Sequence, residues 1–127
     1  SSNTKFEKNT SNSKFTKLVQ TPKETINAIS ANSGSVNVDA TLAPVHTMTL
    51  TGNTTYTFTN MTAGTSTLLI IKVNANDKTA TFTSDGSTLV KFSGGAPTLT
   101  ITSGQIDIVS VFFDGTDFIG SITQGIR

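Results

Sequence analysis

The chain has 127 residues, of which 35% are apolar and 13% charged, and its formal net charge is +1. This length suits one domain with a modest core. The near-neutral balance offers no electrostatic case for nucleic acid or a membrane surface. The absence of cysteine excludes a disulfide framework and any thiolate metal site.

Thr, Ser, Asn and Gly fill the place of the missing apolar residues. Such a composition fits strands with thin apolar faces and hydroxyl-rich outer faces, because Thr is β-branched and prefers extended backbone. The longest aliphatic block, Leu68-Leu69-Ile70-Ile71, is far below the roughly 20 apolar residues of a spanning helix.

Charge divides the chain in two. Through Glu24 it carries Lys5, Lys8, Lys14, Lys17 and Lys23 against Glu7 and Glu24, whereas the remainder carries Lys72, Lys78, Lys91 and Arg127 against six aspartates. Residues 1–23 show no sustained apolar period, with Phe6, Phe15, Leu18 and Val19 as islands among polar neighbours. They read as a Lys-rich arm preceding a domain over residues 24–127. The arm is expected to dock on a neighbouring subunit, with Phe6 and Phe15 as anchors and Lys14, Lys17 and Leu18 beside them.

Thr21-Pro22-Lys23-Glu24 has two readings. Thr followed three residues later by Glu, with Pro at the first helical position, is a capping-box signature for a short helix through Ile29. Alternation over residues 24–30 instead allows a strand that closes a hairpin onto Ser35–Asp39.

Further along, Val36 and Val38 share a strand face, as do Met48 and Leu50, opposed by Thr47, Thr49 and Thr51. Gly52-Asn53 predicts a turn, with Tyr56 and Phe58 alternating in the return strand. Thr67–Asn74 is apolar on both faces, the pattern of a central strand covered on both sides. Turns follow at residues 74–78 and 84–87. Leu99 and Ile101 are expected inward. Ile106–Phe113 predicts a second central strand, turning through Asp114-Gly115-Thr116-Asp117 into a final strand from Phe118. Eight or more strands with closely spaced turns predict an all-β fold, a β-sandwich or jelly roll of antiparallel strands.

Catalytic chemistry has few candidates. His46 is the only histidine, and no serine lies in a Gly-x-Ser-x-Gly turn, so a packing role is expected for it. Asp114-Gly-Thr-Asp117 and Asn74-Ala-Asn-Asp77 resemble fragments of calcium loops but lack the alternating ligands closed by Glu; turn formation explains them. Asp107, mid-strand among apolar residues, is expected to pair with a lysine or to face a subunit boundary. No metal, cofactor or catalytic residue is expected, and Tyr56 is assigned to packing rather than to stacking a sugar.

Leu50-Thr-Gly-Asn-Thr-Thr-Tyr-Thr-Phe58, Gly94-Gly-Ala-Pro-Thr-Leu-Thr100, Asp114-Gly-Thr-Asp117 with Phe118, and Gly120 through Ile126 together resemble a module of bacteriophage virion proteins. The resemblance spans roughly Glu24 to Ile126. Two departures are the Gly-Gly followed directly by Ala-Pro, and Phe118 where Tyr or Trp is usual, which weakens any inference of a ligand-stacking surface. The resemblance favours the hairpin reading of residues 24–30. It implies a non-enzymatic structural protein on the virion exterior, a capsid decoration or cement protein, or alternatively a tail-fibre or receptor-binding module. The implied partners are the major capsid protein or other virion subunits and further copies of the chain, trimers being common in such proteins.

Overall fold

A computed structural model describes residues 23–127 of the chain. The expected arm and its docking residues Phe6, Lys14, Phe15, Lys17 and Leu18 lie outside the described residues.

Among the described residues nine strands form: β1 (Ile26–Ala28), β2 (Gly34–Asp39), β3 (Val45–Leu50), β4 (Thr54–Thr59), β5 (Thr65–Val73), β6 (Ala80–Ser84), β7 (Lys91–Phe92), β8 (Ile106–Phe113) and β9 (Phe118–Ile126). They make two sheets, a six-stranded one ordered β1-β3-β5-β8-β9-β7 and a three-stranded one ordered β2-β4-β6. One apolar core draws on both sheets, consistent with a β-sandwich.

The strand directions differ from the expected ones. The pairs β1–β3, β3–β5, β2–β4, β4–β6 and β7–β9 are parallel, and only β5–β8 and β8–β9 are antiparallel. These are not the pairings of an antiparallel jelly roll. Consecutive strands from β1 to β6 alternate between the sheets, so the chain winds in three coils, each giving one strand to each layer. Residues 26–28 are strand, not helix, but β1 pairs with β3 rather than closing a hairpin onto β2. Gly52-Asn53 likewise turns the chain from one sheet to the other.

Polar side chains and backbone groups hold the coil corners in register. At one corner the Gly34 N–H donates to the Asn53 carbonyl and the Thr54 N–H to the Thr79 carbonyl, both at 3.0 Å, while the Asn53 Oδ1 accepts from the Thr79 N–H at 3.0 Å. At the opposite corner the Asn60 N–H donates to Asp85 Oδ2 and the Asn60 Nδ2 to Asp39 Oδ1, each at 3.0 Å. Asn60 has φ 59°, a left-handed conformation that Asn tolerates better than most residues. Each corner thus satisfies backbone groups that a bend would otherwise leave unpaired.

Inside, the parallel register stacks like on like. Val36, Tyr56 and Phe82 are Cα partners across the small sheet, and the Tyr56 and Phe82 rings stack at 5.5 Å. Phe82 meets Phe92 at the same centroid distance, tilted by 55°. The large sheet answers with Met48–Ile71 and Leu50–Val73 pairs, joined by Val109 and Val111 of β8, all buried.

Residues 85–105 close the sandwich over β8 and β9. Val90 and Leu99 are buried there, but Ile101 is 58% exposed, and residues 98–102 form no strand. Expectation and structure part at Ile101 because an irregular segment does not keep the two-residue period. Close packing also explains Gly120: a Cβ there would lie 2.5 Å from Phe92 Cε2 and 2.9 Å from Val90 Cγ1.

Candidate interaction surface

Strand alternation fixes which side chains leave the six-stranded sheet outward. Those of β5 are Ser66, Leu68, Ile70 and Lys72; their β8 partners are Phe112, Ser110, Ile108 and Ile106. Beyond these, Phe112 pairs with Ile119 of β9, and Ile106 with Ile126. At the other edge, Ile26 of β1 pairs with Val45 of β3, and Thr47 and Thr49 follow Val45 on this face, beside Ile70 and Lys72. Ile119 is 47% exposed, Phe112 39% and Ile26 60%, while Leu68, Ile70, Ile106 and Ile108 are half-buried. The central strands are apolar on both sides as expected, yet the described residues cover only the inner side. Across β1, β3, β5, β8 and β9, Lys72 is the one charged side chain on this face.

Two clefts flank the body. One, of about 560 Å³, lies at a coil corner and is lined by hydroxyls of Thr41, Thr62, Thr65 and Thr67 with Asn60 and Pro44. The other, of about 490 Å³, lies beside β6 and is lined by Phe82, Leu89, Val90, Phe92 and Pro97. Neither gathers an acid, a base and a nucleophile. Among the described residues no three of His, Asp and Glu approach as metal ligands would.

The candidate polar residues have structural partners. His46 is fully buried, with Asn27 Nδ2 3.1 Å from its Nδ1 and no hydrogen-bond partner for its Nε2 among the described residues; burial lowers its pKa below the ordinary imidazole value. Asp114 Oδ1 accepts from the N–H groups of Thr116 and Asp117, at 2.8 and 2.6 Å, and these bonds lower its pKa. Asp117 takes Lys91 Nζ at 2.9 Å, which raises the lysine's pKa. Asp39 is lowered by the Thr41 hydroxyl foremost, then by Asn60. The aspartates at these turns act as turn and corner acceptors.

Asp107 corrects an expectation. It neither pairs with a lysine nor faces a boundary; it is fully buried on the inner side of β8. Its carboxylate accepts from the Thr100 N–H at 2.7 Å, from the Thr100 hydroxyl, and from the Gly125 N–H at 2.9 Å. Gly125 adopts φ 70° where β8 and β9 lose register, a bulge geometry that suits glycine. One carboxylate therefore ties the irregular closing segment and the last strand to β8.

Comparison with protein-family models, curated proteins and solved structures finds no match to this chain. Sequence patterning identified the two apolar central strands, but not that the described residues leave one side of them uncovered. The signal available was the outward set Ile106, Ile108 and Phe112, too apolar for a wetted strand face.

Proposed function

We propose that this chain is a non-enzymatic structural protein of a bacteriophage virion, a capsid decoration or cement protein that docks on the outer capsid through its N-terminal arm. The observation that carries an assembly role is the apolar face of the six-stranded sheet that the described residues leave uncovered. Contiguous apolar surface of this kind marks sites of association. The polar residues favour the same reading, since His46, Asp107 and Asp114 are engaged in holding the fold. The virion assignment rests on the turn motifs Leu50–Phe58, Gly94–Thr100 and Asp114–Phe118. In this role many copies bind a repeating lattice and reinforce it by avidity, on the exterior of the particle, with the major capsid protein as neighbour.

The test is deletion of residues 1–20. The truncated protein is expected to keep its folded body and lose binding to particles. Full occupancy by the truncated protein would contradict arm docking.

A second reading, a tail-fibre or receptor-binding module, draws on the coil geometry. Stacked parallel coils extend along an axis, which suits a body continuous with a fibre shaft. Binding of the purified protein to host cells would favour this reading over the first.

A further inference from the structure

The outward face of the six-stranded sheet points to a second copy of the same chain as its occupant: we propose that two copies pair face to face through it, related by a two-fold axis. This deepens the assembly role proposed above and rests on it only for its biological setting.

Area supports the pairing. Five strands at about 4.8 Å spacing, with β8 rising about 3.3 Å per residue, give a footprint of roughly 500 Å². Two such faces together bury roughly 1,000 Å² or more, at the lower bound for a specific interface.

Charge supports a like partner. Lys72, at one end of β5, is the one charged side chain on the outward face of these five strands, and no acidic group on that face calls for a basic partner. A two-fold that runs the strands of the copies in opposite directions sets the two Lys72 side chains at opposite ends, apart from one another. The apolar centre, Leu68, Ile70 and Ile108, then meets itself, as an isologous contact requires. Aliphatic side chains on a twisted sheet pack against another sheet at about 10 Å, as the inner face already does.

The experiment is sedimentation equilibrium from micromolar to millimolar concentration on the wild-type chain, Ile108→Glu and Thr55→Glu. Thr55 is exposed on the opposite, three-stranded sheet. The wild type and Thr55→Glu are expected to reach a mass of two chains. Ile108→Glu is expected to associate at least about a hundredfold more weakly, since two carboxylates would be buried without partners. If Ile108→Glu loses its far-ultraviolet dichroism, Ile119→Lys is read in its place.

The proposal is overturned if the wild type stays at one chain, if it settles at three, or if the face variant pairs as tightly as the wild type. It is overturned equally if Thr55→Glu disrupts pairing as much as Ile108→Glu. Particle binding is scored separately. A protein that pairs but binds no particle removes the virion reading alone, and one that binds particles as a monomer removes the pairing alone.

Discussion

The three-stranded sheet turns Ser35, Asn37, Thr55, Thr57, Thr81 and Thr83 outward, whereas the six-stranded sheet turns Ile26, Ile70, Ile108, Phe112 and Ile119 outward among fewer hydroxyls, those of Thr47, Thr49, Ser66, Ser110, Ser121 and Thr123. Both cover the same core, and both alternate side chains with the same period. The first is what a sheet face in water requires. Threonine keeps the β preference of a branched side chain and adds a hydroxyl for solvent. The second resembles an inner face that lacks its second layer. Ser66, Ser110, Ser121 and Thr123 share this face, but its aliphatic and aromatic set is left uncovered by the described residues, as the proposed pairing requires.

The strongest way to break the comparison is from beneath. Tyr56 lies under the hydroxyl face, fully buried and stacked on Phe82. Tyr56→Ala is expected to cost about 3–5 kcal/mol in chemical denaturation, enough to unfold both faces together. Its hydroxyl has no hydrogen-bond partner among the described residues, and burial pushes its pKa well above the ordinary phenol value. Tyr56→Phe should therefore be neutral or stabilising by up to about 1 kcal/mol. A large loss in Tyr56→Phe would show that the hydroxyl is satisfied after all.

Asp107 lies under the apolar face, and its removal sharpens the comparison. Asp107→Ala leaves the Thr100 N–H and O–H and the Gly125 N–H without their acceptor, a cost of about 3 kcal/mol. The loss should be local. Amide exchange is expected to quicken at residues 98–102 and 124–126 while β2, β4 and β6 stay protected. Uniform quickening in all nine strands would instead mean that the coils depend on the closing segment.

His46 gives the smallest effect. Its folded pKa lies below the unfolded value of 6.5 because it is buried. The unfolded chain therefore takes up the proton first as pH falls. The stability that neutral His46 contributes is complete above about pH 6.5 and is lost as pH falls below it. His46→Gln should flatten the stability profile in that window. An unchanged profile would mean that other groups govern the acid limb.

Much of this was legible in the sequence because alternation alone determines it. The inward sets Val36–Val38, Met48–Leu50 and Tyr56–Phe58, the Asp114–Asp117 turn and both central strands follow from local pattern. Strand direction does not. A turn such as Gly52-Asn53 looks the same whether the chain returns beside its own strand or crosses to the other sheet. The coils leave only a spaced repetition: Gly34, Thr54 and Ala80 share one register, as do Ile26, Val45 and Leu68. Unequal insertions at the corners mask that repeat. Asp107 was recognised as anomalous, but its partners are backbone and hydroxyl donors brought close by tertiary folding, which spacing cannot show.

The most direct test of the central claim compares the two outer faces by thiol reactivity. The chain has no cysteine of its own, so Ile119→Cys and Thr55→Cys each report one face. Labelling is measured across protein concentration. In dilute solution both thiols should react; as concentration rises, Ile119→Cys should become protected while Thr55→Cys reacts unchanged. Equal reactivity of the two thiols at every concentration would contradict the account, because the apolar face would then remain open to water.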